Sequence, residues 1–369
     1  MVKLQEKIIF LFDSNIRSNM INNTDNLLIL GIIILIGIYI LKKKVETNCW
    51  IFTILYYYLV VILFIVILIY NNIVNKSRVI KCLNSSNLII KRMTTLPVNK
   101  AKVHLMSKPF SEFLISTSHN TYLPCTQNGD VSSVHAITNA LKLGARVIEL
   151  DVFAKNDQGN SLDDFEPVVT HGIELSTGNI FTTGFIYFKD CIESIKTFAS
   201  TTSDPIWIDI ELNTNNIEQT QKRMREILLD NFSTKILGGE FKIGNKIKNF
   251  STEPISNLLN KIIITTSKSK KSITKYLIDI FDSYAGDEYY TNNSADTIIN
   301  INKIKQNKIY RVYPPGNFSG HFSYNYDPEP FWKKHIQLVA LNFQTVDINF
   351  KKNLEMFKLC SFVHFSELS

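Results

Sequence analysis

With 369 residues, 45% of them hydrophobic and 20% charged, the chain can bury one large core or two ordinary ones, which excludes a disordered protein. Its formal charge of +7 comes from lysines and arginines scattered among Asn, Ile and Ser, with no arginine-rich arm or aromatic-interleaved basic motif. Nucleic acid is therefore not the expected partner, and an anionic membrane surface fits at least as well.

The first predicted element is the run "LLILGIIILIGIYIL", residues 27 to 41, about 22 Å long as a helix and ending on Lys42, Lys43 and Lys44, whose stems can snorkel. The second, "CWIFTILYYYLVVILFIVILIY" at residues 49 to 70, carries no charge and measures about 33 Å, enough to cross a hydrocarbon core of about 30 Å. A cleaved signal peptide is the other reading of the first run, but a mostly polar stretch precedes it and no small-residue cleavage site follows. The expectation is an integral membrane protein whose region 1–75 anchors it through one or two helices. Lys3, Lys7, Arg17, Lys76, Arg78, Lys81, Lys91 and Arg92 outnumber the loop lysines, so the tails and the region that follows are expected in the cytoplasm. Cys49, Cys82, Cys125, Cys191 and Cys360 are far apart, odd in number and form no CxxC pair, so they read as free thiols.

Beyond a polar connector at 76–105, β-rich runs alternate with amphipathic stretches. Strands are expected at "FLISTS" (113 to 118), "RVIELDVF" (146 to 153), "PVVTHG" (167 to 172), "PIWIDIEL" (205 to 212), "KIIITTS" (261 to 267), "KIYRVYP" (308 to 314) and "LVALNFQ" (338 to 344), with an eighth near "DEYYTNN" (287 to 293). Helices are expected at 132 to 144 and 216 to 232. Buried strands separated by crossovers predict an α/β protein, a (β/α)8 TIM-type barrel.

Barrel catalysis is done at the C-terminal strand ends, where this sequence places an unusual set of polar residues. The first strand runs into His119 and Asn120, and the second carries Glu149 and Asp151 on one face. The third ends in His171, the fourth carries Asp209 and Glu211, and a later one carries Arg311 and Tyr313. Singly each has a plainer structural reading. Together they do not, because acids inside apolar strands are costly unless paired or bound to a cation. The Asn, Glu and Asp oxygens are hard ligands suited to Ca²⁺ and unlike the Cys and His set that zinc prefers. Two histidines beside such a cation suit general acid/base work on a phosphodiester, and an arginine suits phosphate recognition.

These blocks resemble the eukaryotic-type phosphoinositide-specific phospholipase C family over residues 103 to 365, through "PFSEFLISTSHNTYL", "GARVIELDVF", "PVVTHGIELSTGNIF", "PIWIDIEL" and "IYRVYPPGNFSGHFSYNYDPEPFWKKHIQLVALNFQT". The resemblance implies a first catalytic half at 106–268, a short linker at 269–290 and a second half at 291–369. It implies Asn120, Glu149, Asp151 and Glu211 as Ca²⁺ ligands, His119 as stabiliser of the phosphoryl transition state and His171 as general acid, with Glu149 taking the inositol 2-hydroxyl proton. Arg311 is then expected on the ring's 4-phosphate, Tyr313 against the inositol ring and Ser294 on phosphate. The expected activity is calcium-dependent cleavage of membrane phosphoinositide to diacylglycerol and inositol phosphate through a cyclic phosphodiester.

This sequence also departs from the family pattern. Thr265 and Ser267 stand where the family has a phosphate-reading lysine pair, with Lys268 the nearest substitute, so a weaker preference for the bisphosphate lipid is expected. The lipid-binding, calcium-hand and β-sandwich modules are absent from this sequence, so little regulation beyond calcium and substrate access is expected, with no obligate protein partner. The rival readings are a glycerophosphodiester phosphodiesterase-like enzyme, which lacks the second-half block, and a catalytically inactive inositol-lipid binding module, which has no need of both histidines.

Overall fold

The computed structural model describes residues 95–125, 131–156, 165–174, 180–182, 184–214, 217–298, 305, 307–315 and 324–368, with isolated positions between 57 and 84. They fall in two compact units, Met1–Ser77 and Arg78–Ser369. In the first, Tyr57, Tyr58, Val60, Val61, Ile62, Ile65 and Val66 are described, all helical. The expected span at 27 to 41 and most of that at 49 to 70 lie outside the described residues. Among the described residues no helix is long and apolar enough to cross a membrane, which overturns the integral-membrane assignment. An uncharged run counts apolar residues, whereas a span needs them in one continuous helix of that length.

The second unit opens with α1 (Val98–Ala101), β1 (Phe113–Ile115), β2 (Thr117–Ser118), α2 (Val134–Lys142), β3 (Val147–Asn156), β4 (Phe165–Val169), β5 (Ile173–Glu174), β6 (Ile180–Phe181) and β7 (Ile186–Tyr187). It continues through α3 (Phe188–Ala199), β8 (Ile206–Leu212), α4 (Ile217–Phe232), β9 (Ile262–Thr266), β10 (Ser283–Tyr284) and β11 (Tyr290–Ser294). It closes with α5 (Ala295–Ile298), β12 (Ile309–Tyr313), α6 (Glu329–Trp332), β13 (Leu338–Leu341), α7 (Ile348–Met356) and β14 (Phe362–His364). The strand order β10-β9-β8-β3-β2-β13-β12-β11 is parallel at every neighbour. No ladder joins β10 to β11 among the described residues, so the parallel barrel is nearly closed.

Alternation along each stave assigns the two faces. On β8, Ile206, Ile208, Ile210 and Leu212 point outward into a core shared with Ile148, Leu150 and Val152 of β3. The helices meet that surface with stripes at helical spacing, in α3 Phe188, Cys191, Ile192, Ile195 and Ala199, all buried. Each such large side chain contributes about 1.5–3 kcal/mol by leaving water. The other face of the same staves looks into the barrel. Val147, Trp207, Ile263, Tyr290, Ile309 and Leu338 form its apolar floor, capped by Phe110, Phe113 and Phe250. Strand β14 seals that end by pairing antiparallel with β1.

Two strand assignments change. The expected third stave does not join the barrel: β4 pairs antiparallel with β3 as a hairpin arm, Val152 opposite Val169. Ser283–Tyr284 takes a stave position instead, parallel to β9. Period-two alternation marks a strand but carries no sign of its direction. Cys82 and Cys125 are joined as a disulfide with Cα atoms 5.5 Å apart, which corrects the free-thiol reading. Their separation of 43 residues hides the proximity, whereas Cys191 and Cys360 are free thiols buried in the fold.

Candidate active site

Register stacks the inward polar residues in two tiers above the apolar floor. Glu149 lies beside Asp209, which lies beside Thr265, and one step higher Asp151 lies beside Glu211. The carboxylates of Glu149, Asp151 and Glu211 each offer an oxygen within 4.8 Å of the others. Asp151 Oδ1 is buried with no hydrogen-bond partner. Three hard carboxylates around one point, one with an orphaned oxygen, fit a calcium ion better than a soft metal.

The loop after β2 bends onto this cluster. Asn120 adopts a left-handed backbone, φ 44°, which Asn tolerates better than most residues. The turn lets its backbone N–H donate to Glu149 Oε2 at 3.0 Å. Thr121 Oγ1 accepts from the Glu149 N–H at 3.0 Å, stitching the loop to β3. Tyr122, which sequence reasoning missed, donates its hydroxyl to Asp151 Oδ2 at 2.8 Å and reaches Asn120 Oδ1 at 3.4 Å. It thereby fixes two of the expected ligands.

His119 is oriented by another missed residue. Asn342, directly after β13, gives its amide hydrogen to Tyr324 O at 3.0 Å, which turns its Oδ1 toward His119 Nδ1 at 2.9 Å. Nδ1 therefore donates, and Nε2 faces Glu149 Oε2 at 3.7 Å. The signal for Asn342 was a polar residue directly after a buried barrel strand, the position that His119 also holds. The His119 ring lies parallel to that of Tyr313, centroids 6.2 Å apart. His171 stands on the wall of an open cleft of about 520 Å³ that Asp151, Glu211, Glu174 and Asn213 also line.

Electrostatics divides these groups. Burial lowers the His119 pKa, with Arg311 adding to the effect, and outweighs the pull of Glu149. Burial lowers His171 as well, and the neighbouring His119 lowers it further. Burial would raise Glu149, but Arg311, His119 and the Asn120 N–H more than offset it and hold the carboxyl below its ordinary value. Asp151 is pushed well up by burial and by the Glu211 and Glu149 charges, the repulsion that a bound cation would relieve.

The expected substrate-binding residues divide by depth. Ser294 and Tyr313 are paired in register at the ends of β11 and β12. Lys268 follows β9 and pairs with Glu211 at 2.8 Å. Arg311, by contrast, is fully buried one tier below Tyr313. Its Nη2 lies 2.9 Å from Glu149 Oε1, and its Nη1 donates to Asn292 Oδ1 at 2.7 Å.

Two family models match the chain, described as the X domain and the Y domain of phosphatidylinositol-specific phospholipase C, over residues 106–268 and 258–363. The chain is similar to "1-phosphatidylinositol 4,5-bisphosphate phosphodiesterase 1" of Saccharomyces cerevisiae, 27% identical over 70% of this chain and 36% of that protein. It is also similar to the beta-1 enzyme of that name from Bos taurus, 26% identical over 69% of this chain and 27% of that protein. The chain thus spans about a third of the length of these relatives. Its fold is that of the crystal structure of L. pealei PLC21, with TM-score 0.55 and 22% identity over 70% of this chain and 37% of that one.

Proposed function

Residues 106–363 place the chain in the phosphatidylinositol-specific phospholipase C family through its X and Y domains, and from that premise we propose that it is a calcium-dependent phosphoinositide phospholipase C. The observation that carries the reading is the Glu149, Asp151 and Glu211 cluster with His119 and His171 at its rim. Asn120 Oδ1 and the three carboxylates would hold the calcium ion. Bound there, the cation would supply positive charge to the inositol 2-hydroxyl and to the phosphoryl oxygens.

The chain's own groups account for the proton movements. Glu149, held ionised by Arg311, takes the proton as the 2-hydroxyl oxygen forms its bond to the 1-phosphate. Protonated, His119 donates its Nε2–H to the phosphoryl oxygen while its Nδ1–H stays on Asn342. His171 gives a proton to the diacylglycerol oxygen as its bond to phosphorus breaks. The product is a cyclic inositol phosphate, which water opens with the histidine role reversed. Tyr313 packs on the inositol ring, with Ser294 and Lys268 toward phosphate oxygens.

The relatives are named for the bisphosphate lipid. In this chain Thr265 is spent on Asp209 at 2.6 Å, so the proposed preference for the bisphosphate lipid is weaker, with phosphatidylinositol and its monophosphate also accepted. The test is the purified full chain on vesicles of phosphatidylinositol and its phosphorylated forms, with calcium or with chelator. Water-soluble inositol phosphate released only with calcium is the expected result. Release that persists in chelator, or none with calcium, overturns the proposal.

A further inference from the structure

Beside Glu149, in the lower of the two polar tiers, lies a buried carboxylate that the mechanism leaves unused. Asp209 is fully buried, as is Arg311. Its Oδ1 accepts from Thr265 Oγ1 at 2.6 Å, and Thr265 Oγ1 accepts from Trp207 Nε1 at 2.7 Å. Its Oδ2 accepts from the Tyr290 hydroxyl at 3.0 Å and lies 3.8 Å from Arg311 Nε. Groups from β8, β9 and β11 therefore lock one carboxylate in place against one guanidinium. Arg311 thus donates a hydrogen bond from Nη1 to Asn292, while its Nε and Nη2, which make no hydrogen bond among the described residues, stand at ion-pair distance from Asp209 and Glu149.

Two acids about a single buried cation make its displacement unfavourable, because either carboxylate left alone in the low-dielectric interior is heavily penalised. Tyr313, two residues further along β12, stands about 7 Å nearer the mouth. A headgroup packed on Tyr313 could reach Arg311 only by drawing the guanidinium away from both acids. The geometry points to Asp209 as a positioning residue that keeps Arg311 retracted as the partner of Glu149, and so sets the preference of the mouth for an inositol headgroup with no 4-phosphate. The inference rests on the phosphoinositide reading of the site.

The test is calorimetric binding of inositol 1-phosphate and inositol 1,4-bisphosphate to the full chain, in calcium, for wild type, Arg311→Met, Asp209→Asn and Asp209→Asn/Arg311→Met. The near-isosteric Asn keeps hydrogen-bonding capacity toward Thr265 and Tyr290 but removes the charge that anchors Arg311. The affinity ratio of bisphosphate to monophosphate rises about tenfold in Asp209→Asn, as expected for one freed charged contact to a phosphate, and the second substitution returns it to the wild-type value. A merely structural role lowers both affinities together and leaves the ratio flat, which overturns the inference. So does a wild type whose ratio already falls tenfold with Arg311→Met alone. Thr265→Val, which removes one anchor of Asp209, serves if the Asn variant does not fold, and must shift the ratio in the same direction. Inositol phosphate release from vesicles with a flat ratio defeats only this inference. A shifted ratio without release defeats only the enzymatic reading, and no binding of either headgroup defeats both.

Discussion

At the residue scale, His171 and His119 share one type of side chain and differ in what surrounds them. His171, on the cleft wall, is the proposed general acid for the leaving oxygen, and a positioned general acid contributes about 10²–10⁴-fold. His171→Ala should therefore lower kcat by that order while vesicle binding is spared; an unchanged kcat in a release assay would refute the role. His119 carries a pH signature. Its folded pKa lies below the ordinary 6.5, chiefly through burial, so below that pH the unfolded chain takes up the proton more readily than the folded one. Its contribution to stability is complete above 6.5 and is lost as pH falls toward the folded pKa. The unfolding free energy of wild type relative to His119→Gln should thus shrink from pH 7 to pH 5 in urea titrations. A constant difference would contradict the assignment.

Strand β8 shows how one element serves both the core and the chemistry. Ile206, Ile208 and Ile210 face the helices, and Trp207, Asp209 and Glu211 face the barrel as floor, proposed anchor and proposed ligand in ascending order. A substitution on one face should leave the other in place. Ile208→Ala, at a fully buried position, should cost about 2–5 kcal/mol in urea unfolding. Where that variant remains folded, its KM should match wild type, and an altered KM would show that the two faces are coupled. The β4 arm, outside the parallel staves, brings His171 to the cleft from an antiparallel hairpin.

For the whole molecule, the carboxylate cluster is a cost that a bound cation would offset. Asp151, pushed up by burial and by its two acidic neighbours, marks where that repulsion concentrates. A ligand that binds only the folded state stabilises it by about 2.7 kcal/mol at a hundredfold excess over Kd. Calcium should therefore raise the thermal midpoint of the full chain by on the order of 5 °C. Glu211→Gln should lose most of that rise; an equal rise in the variant would place the ion elsewhere.

Much of this was legible in the chain itself. The apolar alternation of "RVIELDVF" and "PIWIDIEL" assigned Glu149, Asp151, Asp209 and Glu211 to one interior face, because side-chain direction in a strand is a local, period-two property. The order of the blocks was enough to identify the barrel. Contacts between distant segments were not legible. Nothing local to "PVVTHG" says that it runs antiparallel to β3, or that Ser283–Tyr284 takes a stave position. Asn342 reaches His119 across 223 residues, and the partners of Arg311 come from β3, β8 and β11. Residue type and spacing determined by themselves which side chains enter the barrel. Only the tertiary structure decided their depth and their partners, because both depend on register between strands, and register is a relation among segments that no single segment contains.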